Sequence, residues 1–470
     1  MSRNSFFTVA SVAPGLLAAA SCLAQPCTPH WDTAKGIPGI AGGYAAALKS
    51  WNDGSGVKIF VGGSFSAAGG SAANQYLGRW DPATGTWSSV GGGISGGFTN
   101  AFLTCFTNFN PGAGERLVAC GFFDTAGGVP GTASLAMWNG ATWQAMGTNW
   151  TGTTRGSVWA AAPWNGRLYV GGGIVNTPAQ IGGQPWAGFA SWNGQAWTPH
   201  ITTMTAGTTP GVFALQVFND GSGEALYAAG RFTSIDGIPN TGLVARWNGT
   251  SWSAVGGGLF STSSLFGLEA MTVFNDGTGP ALYVAGYAFN RTGLPVCNVA
   301  KWNGTTWTAV GGQIGTGRIT SIAGFDDGSG PKLYIGGTAM PQINYIARWE
   351  NNAWTPVGGG VTGAGIPPSN FPSVFGMGVI NNKLYVAGNF AEVNAAPAAG
   401  LAAWTSCPTC YANCDNSTAA PTLNVNDFQC FLNRYAAGES YANCDGSTNN
   451  PVLNVNDFQC FLNTYAAGCP

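Results

Sequence analysis

Oxygen-bearing side chains with metal-ligand spacing occur at one end of this chain. Near the C-terminus Asn413, Asp415 and Ser417 alternate and then Asn424 and Asp427 follow, and the same order returns as Asn443, Asp445, Ser447, Asn454 and Asp457. Calcium takes about six to eight oxygen ligands from a looped backbone closed by a carboxylate. The expected cofactor is therefore Ca2+, held by these two sets. The alternative is a pair of disulfide-stapled helices in which Asp415 and Asp445 merely close Asx turns.

Other chemistry is thin. His30 and His200 are the two histidines, too few for a copper or zinc site built from several imidazoles, and no Gly-x-Ser-x-Gly elbow accompanies His200 to suggest a hydrolase triad. Asp53, Asp220, Asp276, Asp326 and Asp327 fall in repeated turns of the type Asn-Asp-Gly-Ser-Gly, where turn chemistry is the expected role. Glu115 and Glu224 follow such turns and Asp81 and Glu350 sit beside the Trp-Trp turn, which leaves scattered singles such as Asp124, Asp236, Glu269 and Glu392, whereas glycoside hydrolysis needs two carboxylates converging on one bond. No catalytic residues are assigned. Three tryptophans outside the repeat pattern, Trp150, Trp159 and Trp186, are the candidate ligand-binding residues, expected in loops where they would stack on sugar rings or pack beneath the loop.

The elements that position these residues are repeats. The unit Arg246-Trp247-Asn248-Gly249-Thr250-Ser251-Trp252 is an Asn-Gly turn between two tryptophans. Its first Trp recurs at Trp80, Trp138, Trp192, Trp302, Trp349 and Trp404, and its second at Trp87, Trp143, Trp197, Trp307 and Trp354. Each copy, at a period of about 40 to 60 residues, reads as four short strands joined by Gly-rich turns. The copy at Trp404 lacks its fourth strand, and Trp31, just upstream of the first copy, is expected to supply it. The expected fold is all-β: a seven-bladed β-propeller over residues 25–407, closed by an N-terminal strand. Arg79, Arg246, Lys301 and Arg348, each preceding a first Trp, are expected to stack on rings of neighbouring blades. Loops from blade to blade and from second to third strand vary most and open on one side, so ligands, a polysaccharide among them, are expected there.

Charged residues are only 8% of the chain and the net charge is −2, which offers no field to a polyanion, so nucleic acid is excluded as a partner. Residues 1–24 have the order of a signal peptide, with Arg3, an apolar run and Ala24 at the cut; acylation of Cys22 is the alternative. No later run reaches the length of a membrane span. The expectation is an exported monomer, extracellular or at the cell surface.

There the cysteines can oxidise. Cys27 lies near Trp31 and Cys407 near Trp404, so a bridge between them is expected at the closure. Cys105 and Cys120 flank one hairpin turn symmetrically and form a second expected bridge, with Cys297 left as a buried thiol. In the tail, six cysteines allow fifteen connectivities. The duplication favours Cys414 with Cys430 and Cys444 with Cys460, leaving Cys410 and Cys469 to clasp the ends.

The repeats resemble kelch-type and related β-propellers in the Gly-Gly of the second strand, as at Gly62-Gly63, Gly171-Gly172 and Gly336-Gly337, and in the paired aromatics, which implies the fold and no function. Residues 408–470, with the stretch from Tyr411 to Gly438 copied from Tyr441 to Gly468, look like a dockerin. More closely they resemble the cysteine-containing dockerin-like tails of secreted planctomycete-type proteins. That resemblance implies a small α-helical calcium-binding tail docking onto a cohesin-like or surface protein. Two departures weaken the expected affinity: three extra residues precede Leu423 and Leu453, and the first ligand is Asn. The functional expectation is a non-catalytic binding or structural propeller attached through this tail; the alternative is a carbohydrate-active propeller enzyme.

Overall fold

The computed structural model describes residues 29–33, 39–96, 101–147, 150–151, 156–173, 179–406, 412, 414, 423–438, 442, 444 and 453–467. They fall into two compact units, Pro29–Ser406 and one that holds the C-terminal helices.

The first unit is β throughout, with a propeller-like sheet arrangement. Its elementary piece is a hairpin of two long strands, such as Gly211–Asn219 with Glu224–Arg231, followed by the shorter strands Val244–Trp247 and Trp252–Ala254. The turn in the long hairpin is shaped by side chains: Asn219 accepts from the amides of Gly221 and Gly223, and Asp220 accepts from the amide and hydroxyl of Ser222. Between the short strands Asn248 Oδ1 accepts from the amides of Thr250 and Ser251, while Gly249 takes a φ of +100°.

The hairpins stand side by side. The first strands Tyr44–Asn52, Phe102–Phe109, Ser157–Trp164, Gly211–Asn219, Leu268–Asn275, Arg318–Asp326 and Ser373–Ile380 each pack beside the next, and the last packs beside the first. Apolar cores lie between consecutive sheets; one joins Tyr169 and Phe189 of one sheet to Phe232 and Trp247 of the following one. At the end of this unit His30–Asp32 pairs antiparallel with Leu401–Thr405, placing Trp31 opposite Trp404 with ring centroids 5.2 Å apart. The vacant fourth-strand slot is filled as the tryptophan count requires.

In every pair but Trp80 and Trp87, the second Trp ties one sheet to the one before it. Its indole N–H donates to a carbonyl beyond the preceding sheet's last strand: Trp197 to Met146 at 2.8 Å, Trp252 to His200 at 2.9 Å, Trp307 to Val255 at 3.0 Å and Trp31 to Gly358 at 3.0 Å. A buried indole thus finds the partner it needs.

The expected stacking of the basic residues on neighbouring blades is overturned. Each reaches instead into its own sheet's long hairpin turn: Arg79 meets Asp53, Arg246 lies 3.9 Å from Asp220, Lys301 2.5 Å from Asp276 and Arg348 2.8 Å from Asp327. A carboxylate already fixed by the turn offers a full charge and directed lone pairs, against which a ring's quadrupole is weak. The turn aspartates are thereby satisfied by the protein itself.

The second unit contains helix α1, Val425–Ala436, and helix α2, Val455–Ala467. Phe431 and Phe461 stack with centroids 4.1 Å apart, in a core shared with Phe428, Tyr435, Phe458 and Tyr465. Disulfides join Cys414 to Cys430 and Cys444 to Cys460, with Cα atoms 5.7 and 5.8 Å apart, which are the two pairings that the duplication favours. No helix among the described residues is long and apolar enough to cross a membrane.

Candidate functional site

The inner strands share one irregularity. In each long hairpin the register slips by one residue on the first strand, as between Val212 and Ala214 opposite Gly230 and Ala229. The residue left over is Ala46, Thr104, Trp159, Phe213, Glu269, Thr320 or Phe375 in successive sheets. A bulge of this kind re-aims its side chain. All of these residues line a single cavity of about 580 Å³ at the N-terminal ends of the first strands.

The glycine that recurs near the end of each second strand makes the bulge fit. A Cβ on Gly230 would sit on the carbonyl oxygen of Gly211 and 3.0 Å from Val212 Cα; one on Gly172 would strike the carbonyl of Ser157 in the same way. The glycine that marks the repeat in the sequence is the vacancy into which the bulged backbone settles.

Three aromatics come from bulges, Trp159, Phe213 and Phe375, and three from nearby positions, Tyr44, Phe102 and Phe266. Tyr44 and Phe375 lie 4.8 Å apart, and Phe102, Trp159 and Phe213 follow one another at 5.7 Å. Among the described residues lining the cavity, the charged groups are Glu269, Arg231 and Arg318. Arg318 Nη1 donates to Glu269 Oε1 at 2.9 Å, and its guanidinium stands over Phe266 at 5.5 Å. Arg231 is held by the Thr209 carbonyl and hydroxyl and by the Leu265 carbonyl, and lies over Phe213 at 5.6 Å. Burial raises the Glu269 pKa above the ordinary carboxylate range, opposed by the cations of Arg318 and Arg231.

Several solved structures align with this chain at low identity. The extracellular domain of a protein described as a hybrid two-component system from B. thetaiotaomicron aligns with a TM-score of 0.46 at 11% identity, over 80% of this chain and 40% of that one. The computationally designed protein Ika8 aligns at 0.38 and 12% identity, over 75% of this chain and 82% of that one. Domains 1–2 of Drosophila Semaphorin 1a align at 0.28 and 9% identity, over 82% and 89%. This chain spans well under half of the first of these. No protein-family model matches the chain. Nor does any curated protein.

Of the three tryptophans singled out from the sequence, the structure brings only Trp159 to the cavity, and it sits in a strand, not a loop. Its side chain is 38% exposed and donates to Ser157 Oγ at 2.8 Å. Trp150 and Trp186 face each other at 5.3 Å, and Trp186 is buried with its N–H on the Gly173 carbonyl at 3.1 Å. They pack against each other, Trp186 buried and Trp150 partly so, and neither lines the cavity. His200 is a core residue between Tyr169, Phe189 and Trp247, its Nε2 2.8 Å from Ser191 Oγ; burial and then Arg167 bring its pKa down to about 4.

The expected Cys105–Cys120 bridge is not formed. The two residues face each other in register, but the ladder shifts at this point, and both remain thiols. Burial, with Cys105 adding to it, pushes the Cys120 thiol well up, and a protonated thiol does not attack. Cys297 is a buried thiol as expected, its pKa pushed by burial to about 12. Cys27, Cys407, Cys410 and Cys469 lie outside the described residues, as do Cys22 and residues 1–24.

In the tail, Asn424 caps α1 by accepting from the amide of Asn426, and Asp427 returns the favour by accepting from the amide of Asn424 at 2.8 Å. Asn454 and Asp457 repeat the arrangement at α2. Both aspartates are fully buried. Asn413, Asp415, Ser417, Asn443, Asp445 and Ser447 lie outside the described residues.

Glu269, Arg231, Arg318 and the aromatics other than Trp159 escaped the sequence reading as site residues. For the bulged residues among them, Phe213, Glu269 and Phe375, the signal is the recurring glycine near the end of each second strand, because the residue bulged against it lines the cavity.

Proposed function

We propose that this chain is an exported, non-catalytic binding protein. In this reading the β unit is a seven-bladed propeller, with His30–Asp32 as the last strand of the last blade, and the ligand enters the axial cavity at the loop face. The observation that carries it is the ring of bulged residues: equivalent backbone positions present unlike side chains to one cavity, and its size falls in the range of about 300–1,000 Å³ usual for small-molecule sites. Glu269, the one lining carboxylate among the described residues, is bound to Arg318 and has no second carboxylate across the cavity for glycoside hydrolysis.

Residues 408–470 serve in this reading as a dockerin-like module that attaches the propeller to a cohesin-like or surface partner. Their donors suit Ca2+, being oxygens only, and the buried carboxylates of Asp427 and Asp457 stand at helix starts where a loop closes. Asn413, Asp415, Ser417, Asn424 and Asp427 would hold one ion, and Asn443, Asp445, Ser447, Asn454 and Asp457 the other. Calcium there would order loops too short of apolar residues to order themselves. The disulfides at Cys414 and Cys444 accord with export, as does the signal-like N-terminus.

Calorimetric titration of the chelator-treated full chain with Ca2+ should give saturable heat and a raised melting temperature. Absence of both removes the metal. Polysaccharide turnover that one carboxylate substitution abolishes would overturn the non-catalytic assignment.

A further inference from the structure

The lining of the axial cavity restricts the chemistry of what it can hold, and the inference here rests on that cavity being the binding site. A carbohydrate needs many free hydrogen-bonding groups around an aromatic platform. Most of the lining hydroxyls are already engaged. Thr104 Oγ1 donates to the Val158 carbonyl at 2.6 Å and Thr320 Oγ1 donates to the Val374 carbonyl, so each has spent its one proton on the neighbouring first strand. Ser157 Oγ accepts from Trp159, and Thr209 Oγ1 accepts from Arg231, so each has a lone pair taken and keeps its own proton.

The two arginines differ in the same respect. Arg231 has its Nε and both terminal nitrogens on Thr209 and Leu265. Arg318 lines the cavity, donates to Glu269 through Nη1 and is 37% exposed. Two guanidinium groups against one carboxylate leave the lining with a surplus of one positive charge, among six aromatic rings. A guanidinium fork takes a carboxylate in a bidentate geometry, and the water-poor aromatic surround strengthens that bond.

We propose that the cavity binds an organic carboxylate with a flat, apolar body, its carboxylate on Arg318 and its body against Trp159, Phe213 and Tyr44. Glu269 holds Arg318 in place and at the same time competes for it. Replacing Glu269 by Gln therefore has a sign of its own: it removes the competitor and tightens binding, whereas a merely structural Glu269 would weaken it.

The test is calorimetric titration of the full chain with 4-phenylbutyrate, with the isosteric 4-phenylbutyramide, and with cellotetraose. Expected are one-to-one binding of the carboxylate, at least about tenfold weaker binding of the amide, a similar loss in Arg318→Gln, loss in Trp159→Ala, and several-fold tighter binding in Glu269→Gln. The amide comparison uses unaltered protein and stands even if a variant misfolds. Equal binding of acid and amide, or weaker binding in Glu269→Gln, overturns recognition of the anion. Binding of cellotetraose alone, lost in Trp159→Ala, overturns the ligand class and leaves the binding site standing; silence with all probes, together with failure of Trp159→Ala to alter retention of any ligand from a broad panel, overturns the site as well.

Discussion

Substitution of Gly230 by Ala tests whether the bulges are what the repeated glycines exist to permit. Gly230 has no need of a positive φ, so alanine meets no backbone penalty there, and by restricting the unfolded chain it would be expected to stabilise by about 0.4–1 kcal/mol. Opposing this, the new Cβ falls on the carbonyl oxygen of Gly211 with Val212 Cα 3.0 Å away. Those neighbours are backbone, with no flexible side-chain end to swing aside, so the bulge at Phe213 has to flatten. Overpacking a well-filled site costs about 1–3 kcal/mol, and rigid neighbours put this case near the top of that range. The net expectation is a loss of about 2 kcal/mol, read by equilibrium denaturation of the full chain through its tryptophan fluorescence. Gly312→Ala is the control, since a Cβ there meets nothing within 4 Å, and should be neutral or slightly stabilising. If Gly230→Ala is as stable as Gly312→Ala, the steric account of the glycine opposite each bulge is wrong.

Two further changes probe what holds the sheets. Trp307→Phe removes one of two hydrogen bonds on the Val255 carbonyl, which keeps the Gly258 amide as its other donor; the expected loss is about 1 kcal/mol by the same assay, and a loss under about 0.3 kcal/mol would show that the staple is incidental. Asp327, fully buried, accepts from Tyr334 at 2.9 Å, Arg348 at 2.8 Å and Trp404 at 3.3 Å. Burial raises its pKa, but hydrogen bonds from Ser329, Trp404 and Tyr334 outweigh that and hold it below the ordinary value of 3.8. A carboxyl depressed in the folded state stabilises above its unfolded pKa and loses that contribution as pH falls through the folded one. Asp327→Asn should therefore cost about 3 kcal/mol at neutral pH, with the difference from the parent constant down to about pH 5 and shrinking below about pH 4. A difference that grows on acidification would refute the assignment.

Periodicity made much of this molecule legible. Tryptophan pairs around Asn-Gly turns declare where strands end, and the one pair lacking a member located its partner at Trp31 by elimination. The tail disulfides were legible because a duplication imposes the same pairing twice. The cavity was not, for a specific reason: a bulge is a change of register, and residue 213 or 269 looks like any other strand residue until its opposite glycine is identified. Glu269 stood out only as a carboxylate without an explanation. The ion pairs of Arg79, Lys301 and Arg348 were misjudged because adjacency to Trp in the sequence suggested the ring, while the antiparallel ladder carries each side chain back to the hairpin turn of its own sheet.

The pairing of His30–Asp32 with Leu401–Thr405 also sets an order of events in the life of the chain. Synthesis runs from the N-terminus, so the first strand of this unit to be made is among the last to find its neighbour. For the whole time that the intervening residues are being made, Trp31 has neither Trp404 to face nor the Gly358 carbonyl to bind. Hairpins can form locally and in sequence, each leaning on the last, but the circle cannot shut until residue 405 has arrived. Closure is then a single long-range step, and the slowest folding phase should be the one that quenches or shifts the fluorescence of Trp31.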